Sequence, residues 1–314
     1  MSGPAPDGPS EPAAGARGSG SLSIAVLGPG GVGGFVAAAL ARAGAPVTVV
    51  AREATTAEIA GRGVRVRSVR LGDFTARPAA LATLAEPVDA LLVATKAGGL
   101  EAALERIEAE PGLVVPLLNG LDHMALLRER FERVAAGTIR IEADRPSPGE
   151  IVQTSPFLRV DLASDRGLDL APLAATLEAA EVPARVLDSE AQVLWGKLVR
   201  LNALACTTSA YDLPLGPIRD TPELRADLEG AVREGAAVAQ AEGASVAFES
   251  VMGELLDAHA ELGSSMNRDI HAGREPELDQ IPGAVLRAAA RHGLECPTVA
   301  RLMAQIASRS PGRR

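Results

Sequence analysis

Of the 31 basic residues in this 314-residue chain, only Lys96 and Lys197 are lysines, and all the others are arginines. An ammonium can release a proton and has its pKa lowered by burial, whereas a guanidinium stays charged. Base composition that favours Arg also suits the abundance of Ala, Gly and Pro, but it leaves the two amines unexplained. Lys197 stands in the run LWGKL, where Leu194, Trp195, Leu198 and Leu201 favour a buried or interdomain position over an exposed helix face.

A second constellation is Gly28-Pro29-Gly30-Gly31-Val32-Gly33, a G-x-G-x-x-G pattern placed after an apolar run and before a helical one. In that setting the first glycine allows a tight turn and the second lets backbone approach a pyrophosphate. The third lets helix and strand pack closely, with the helix N-terminus facing the phosphates. About 20 residues further on, where a carboxylate would hold the ribose hydroxyl of NAD, the chain has Arg52. A guanidinium there pairs with the 2′-phosphate of NADP, so the expected cofactor is NADPH/NADP+. The adjacent Glu53 is a competing ribose contact.

Other reactive residue types carry less. His123, His259, His271 and His292 are scattered, none in a spacing such as H-E-x-x-H, and surface or capping roles are expected for them. Two cysteines in a chain of this size do not make a disulfide framework, and Cys206, within LACTTSA, suits core packing. A net charge of -9 disfavours a polyanionic partner such as nucleic acid. The sequence contains neither an apolar run of roughly 18 residues nor a cationic start followed by an apolar stretch, so no membrane association is expected and a cytoplasmic location is.

The elements that must position these residues follow from periodicity. Continuous apolar runs at Ser23 to Leu27, Val47 to Ala51, Val88 to Thr95 and Leu113 to Leu118 predict buried strands. Helical patterns lie between them at Gly34 to Ala43, Gly99 to Ala109 and His123 to Phe131. This alternation predicts an α/β fold with a doubly wound parallel sheet of Rossmann type. Residues Val134 to Leu162, interrupted by Pro146, Pro148 and Gly149, predict antiparallel strands added to the sheet edge. A helix over Leu170 to Ala180 and a strand over Ala184 to Leu187 close the first domain. Long helical periods then dominate, at Ala191 to Ala210, Pro222 to Glu242 and Glu277 to His292. The expected division is a disordered tail over 1–21, a Rossmann domain over 22–187 and a mostly α-helical C-terminal domain over 188–309. Lys96 and Asn119 follow predicted strands at the carboxyl edge of the sheet, where open α/β folds bind ligands.

Six segments together, IAVLGPGGVGG with Arg52, VATKAGG, LLNGLDHM, LWGKL, SSMNRDI and PELD, resemble the ketopantoate reductases (2-dehydropantoate 2-reductases) from about Leu22 to Ala307. The resemblance implies that NADPH delivers hydride to the ketone of a 2-oxo acid while Lys197 acts as general acid, giving (R)-pantoate or a related 2-hydroxy acid. It places Lys96 and Asn119 near the nicotinamide, Asn119 also against the substrate, and Ala143 as a backbone contact to the cofactor. Glu277 would touch the cofactor and steady the lysine, and Ser265 would bind the substrate carboxylate. Four positions that are asparagine in the enzyme acting on ketopantoate are Leu201, Ala205, Leu215 and Leu262 here. Asn202 replaces the first of these amides only if the helix register differs locally, since one residue turns a side chain by about 100°. The losses leave two alternatives open, a reductase of a more apolar 2-oxo acid or ketone and a noncatalytic NADPH-binding sensor. The expected partner is a small 2-oxo acid, with a homodimer as the assembly to test.

Overall fold

The computed structural model describes residues 21–309. The tail expected over 1–21 lies, except for Ser21, outside the described residues. The chain runs through β1 (Ile24–Leu27), α1 (Gly31–Arg42), β2 (Val47–Val50), α2 (Glu53–Arg62), β3 (Val64–Ser68), β4 (Phe74–Ala76), β5 (Ala79–Leu81), β6 (Ala90–Val93), α3 (Leu100–Leu104), β7 (Val114–Pro116) and α4 (His123–Arg130). It continues through β8 (Ala136–Arg140), β9 (Ala143–Ser147), β10 (Glu150–Gln153), β11 (Arg159–Ala163), α5 (Ala171–Ala179) and β12 (Ala184–Val186). Only helices follow: α6 (Glu190–Tyr211), α7 (Leu215–Asp220), α8 (Pro222–Ala241), α9 (Phe248–Asp257), α10 (Ser265–His271), α11 (Pro282–Arg291) and α12 (Pro297–Arg309).

The first half is a Rossmann-like α/β unit. Its five-stranded sheet has the order β5-β2-β1-β6-β7, with every pairing parallel. Alternation along the strands explains why they read as unbroken apolar runs. Ile24 and Val26 pack into one core with Phe35, Val36 and Leu40 of α1, while Ala25 and Leu27 pack into another with Leu100, Leu104 and Leu127. Each face is covered by helices, so neither residue parity can be polar.

Of the strands expected at the edge of this sheet, one group meets it: β8 pairs antiparallel with β11, which pairs parallel with β12, and the segment leading into β8 joins edge strand β7 through the parallel bridge Val114–Val134. The other group does not. β9 pairs antiparallel with β10, which joins β3 and β4 in a four-stranded sheet. The reason lies in the small residues of α1. A Cβ on Gly31 would stand 2.0 Å from the Ala143 carbonyl oxygen, and one on Gly34 would stand 2.5 Å from Ile151 Cδ1. Bare backbone at both positions lets β9 and β10 lie down on the helix instead of beside β7.

The helical half is built on the 22-residue α6, whose Leu198, Val199, Ala203, Leu204 and Cys206 belong to a core shared with α8, α11 and α12. Ser189 caps it, accepting from the Gln192 amide at 3.3 Å. The helix expected from Glu277 begins instead at Pro282, which suits the first helical position and disfavours helix just before it. Glu277 therefore sits in a turn, its carbonyl accepting from the Ile281 amide at 3.1 Å. No described helix is long and apolar enough to cross a membrane.

Candidate functional site

The glycine turn lies where the strand order reverses, between β1 and β6. Gly28 has φ +90°, and a Cβ there would come within 2.7 Å of Thr95 Cγ2, on the loop leaving β6. A Cβ on Gly33 would stand 2.2 Å from the Gly28 carbonyl oxygen and 2.9 Å from Ala94 Cβ, so this glycine serves close packing. Gly30 differs from both, since a Cβ there would meet nothing within 4 Å. The space over Gly30, at the N-terminus of α1, is a cradle suited to a pyrophosphate. Pro29 and Val32 complete the turn, and the Ala143 carbonyl lies over Gly31. Thr95 Oγ1, beside the turn, is buried without a hydrogen-bond partner among the described residues, as expected of a group left for a ligand.

Arg52 is the N-cap residue of α2 and exposed, and its guanidinium has no hydrogen-bond or ion-pair partner among the described residues. Its neighbour Glu53 is held elsewhere, accepting from Arg106 Nη1 at 3.1 Å. Of the two residues that compete for a ribose phosphate or hydroxyl, the arginine is the free one.

Apart from the glycine turn, Lys197 Nζ donates to Asn119 Oδ1 at 2.8 Å, and Asn119 Nδ2 donates to Glu277 Oε2 at 3.0 Å. Three segments distant in sequence meet here: α6, the turn after β7 and the turn before α11. The two turns are pressed together at Gly120, where φ is +86° and a Cβ would lie 2.4 Å from the Gln280 carbonyl oxygen. Burial lowers the Lys197 pKa to about 8, with the Glu277 charge opposing and the Arg140 charge adding to the fall. An ammonium has three N–H groups, and only one has a partner among the described residues. Such a group can donate a proton to an oxygen placed beside it and does so with a pKa near neutrality.

The surroundings hold residues that sequence reasoning placed elsewhere or passed over. His123, expected at the surface or as a cap, is buried at the start of α4, and its Nε2 has no partner among the described residues. Asp122, not His123, occupies the N-cap position, so the histidine is the first residue of the helix itself. Burial and then the Lys197 charge hold its pKa down to about 4, against the opposing Asp122 charge. Arg140, at the end of β8, donates to the Gly196 carbonyl oxygen at 3.0 Å and to Glu254 Oε2 at 2.8 Å. Nothing in the sequence separates Arg140 from the other arginines, whereas His123 lies inside LLNGLDHM and Asp269 inside SSMNRDI.

Lys96 reaches across from the loop after β6 to Asp269 on α10 at 2.8 Å, and Asp269 also accepts from Arg274 at 2.6 Å. Ser265 is exposed in the first turn of α10, and its hydroxyl has no partner among the described residues. Capping falls to Ser264, which accepts from the Asn267 amide at 3.1 Å and from Thr208 Oγ1 at 2.8 Å. The structure does not bring Asn202 to the Lys197 group. It is fully buried, its Oδ1 accepting from Cys206 Sγ at 3.4 Å and its Nδ2 without a partner among the described residues. Five residues beyond Lys197 place it about 140° around the helix, toward the core. Ala205, Leu215 and Leu262 are buried in that core as well, and Leu201 is half-buried. Cys206 and Cys296 are free thiols, pushed up to about 12 and about 11 by burial, which keeps them protonated and inert. Among the described residues, no group of three or more His, Cys, Asp or Glu is placed to hold a metal ion.

Residues 24–163 match the family model described as ketopantoate reductase PanE/ApbA, and residues 191–310 match that of its C-terminal part. The chain belongs to the ketopantoate reductase family. The 2-dehydropantoate 2-reductase of Caulobacter vibrioides is 30% identical over 298 residues, covering 90% of this chain and 98% of its own. The crystal structure of 2-dehydropantoate 2-reductase from Geobacter metallireducens superposes with a TM-score of 0.83 at 28% identity, covering 91% of this chain and 99% of that one. A PanE/ApbA family ketopantoate reductase from Ralstonia eutropha gives a TM-score of 0.81 at 25% identity, covering 92% and 98%. Membership of the ketopantoate reductase family makes this protein one of a group of oxidoreductases whose homologues act on 2-oxo acids.

Proposed function

We propose that this ketopantoate reductase family member reduces a 2-oxo acid with NADPH, with Lys197 as the general acid. The observation that carries the reading is the half-buried Lys197 ammonium, bonded to Asn119 at 2.8 Å and facing Glu277. The nicotinamide supplies the hydride when bound. Gly28, Pro29, Gly30, Gly31, Val32 and Gly33 would cradle the pyrophosphate, Arg52 the 2′-phosphate, and Lys96, Asn119, Ala143 and Glu277 the nicotinamide half. Lys197 holds a proton at Nζ for the ketone oxygen, which becomes the hydroxyl of the product. Asn119 orients that ammonium, and Glu277 favours its charged form against burial. Ser265, whose hydroxyl has no partner among the described residues, would bind the substrate carboxylate.

A second reading concerns the substrate's side chain. Leu201 is the residue one turn beyond Lys197, on the same helix face, and an apolar group there cannot recognise a substrate hydroxyl. That favours a 2-oxo acid with an apolar side chain over ketopantoate itself. The test is NADPH oxidation measured with ketopantoate beside a panel of branched and aromatic 2-oxo acids, with NADH as the parallel cofactor. Turnover with an oxo acid that is abolished in Lys197→Ala supports the reading. NADPH binding without turnover on any of them removes it in favour of a noncatalytic sensor. Sedimentation of the same samples tests the homodimer.

A further inference from the structure

We propose that Arg140 is a positioning residue for Lys197, bracing the turn of α6 that carries the ammonium and setting a fixed positive charge against it. The proposal rests on the reading of Lys197 as general acid, and its geometry is independent of that reading. Arg140 is the last residue of β8, in the Rossmann-like half, and mostly buried. Its Nη2 donates to the carbonyl oxygen of Gly196, the residue before Lys197, at 3.0 Å. Its Nη1 donates to Glu254 Oε2 on α9 at 2.8 Å, and the same oxygen lies 3.3 Å from Arg200 Nε. One guanidinium thus ties β8, α6 and α9 together at the point where the lysine leaves its helix, and a planar fork does this with less freedom than an ammonium.

The electrostatic part follows from what else faces Lys197. Glu277, from the turn before α11, favours the charged amine, and Asn119, after β7, accepts a hydrogen bond from it. His123, at the start of α4, is held neutral partly by the lysine. Arg140 is the cation whose charge pushes the Lys197 pKa down, and Arg200, one turn along α6, shares Glu254 with it. Glu254 therefore masks two guanidinium charges at once. Arg140 and Glu254 act on the lysine with opposite signs, Arg140 favouring proton release and Glu254 retention. An acid that must donate near neutral pH gains from the first.

The chain's two lysines make the test direct. Lysine labelled with 13C at Cε gives two signals, and a Lys96→Arg variant assigns them. In Arg140→Gln the Lys197 titration midpoint is expected to rise by on the order of one pH unit, and in Glu254→Gln to fall by a similar amount. Arg140→Lys, whose added third signal is identified by comparison with the spectrum of the unaltered protein, keeps the charge and loses the fork, so the Lys197 midpoint stays near that of the unaltered protein while kcat falls and NADPH affinity holds. Midpoints that coincide in the unaltered protein, Arg140→Gln and Glu254→Gln overturn the proposal. Should Arg140→Gln fail to fold, Glu254→Gln decides alone, because Glu254 is half exposed and its loss leaves the fold intact. A midpoint that moves while the alkaline limb of turnover stays fixed supports Arg140's hold on Lys197 and removes the general-acid role instead.

Discussion

Lys197 and Asn119, 78 residues apart in the chain, are joined by a 2.8 Å hydrogen bond from the ammonium to the side-chain oxygen. The bond fixes one N–H and leaves two for a substrate oxygen. If the protonated amine is the acid, reduction is constant at neutral pH and declines as pH rises through about 8, the folded pKa. Lys197→Ala is expected to lower kcat by about 10²–10⁴-fold, the usual worth of a positioned acid. Lys197→Arg does no better, because a guanidinium does not release its proton. Fluorescence titration with NADPH checks that binding persists in both.

Gly30 and Gly31 adjoin in sequence and predict opposite behaviour. Gly31→Ala drives a methyl into the Ala143 carbonyl, and a cost of about 1–3 kcal/mol is expected in urea unfolding. Gly30→Ala meets no protein atom, so the urea midpoint should hold while NADPH affinity falls. Equal loss of stability in the two variants contradicts this assignment.

Arg52 is exposed and unpartnered, so Arg52→Ala should leave unfolding unchanged. Hydrogen bonds to a charged phosphate contribute about 1.5–3 kcal/mol, so kcat/KM with NADPH should fall roughly 10–100-fold while that with NADH holds. An unaltered ratio of the two cofactors would show that Arg52 does not read the 2′-phosphate.

His123 predicts acid sensitivity. Its folded pKa is lowered to about 4 from 6.5. Between those values the unfolded chain binds more protons, so stability is lost as pH falls from 6.5 to about 4. The full effect is roughly 3 kcal/mol. Urea midpoints at pH 7 and pH 5 should diverge in the unaltered protein and converge in His123→Leu.

Leu201→Asn would return an amide to the face of α6 that carries Lys197. The expected result is about a tenfold gain in kcat/KM for ketopantoate relative to 3,3-dimethyl-2-oxobutanoate, which lacks only the hydroxyl. No change in that ratio places Leu201 outside the substrate's reach.

What the sequence determined by itself is what local pattern encodes. The parallel strands carried continuous apolar runs because both their faces are buried, and the glycine turn was legible because steric demands on Gly28 and Gly33 admit no other residue. The excess of arginine made the two lysines conspicuous. Tertiary structure alone decided what depends on contacts between distant segments. β9 and β10 lie on α1 and not at the sheet edge, because the bare backbone of Gly31 and Gly34 admits them. Pro282 leaves Glu277 in a turn, where it can reach Asn119. His123 turned inward to share Lys197's electrostatic surroundings, and Asn202 turned toward the helical core. Arg140, one arginine among many, acquired its place only when β8 came to rest against α6. Hydrogen bonds and charge interactions act over a few ångströms of space and are indifferent to separation along the chain, so composition and periodicity carry no record of them.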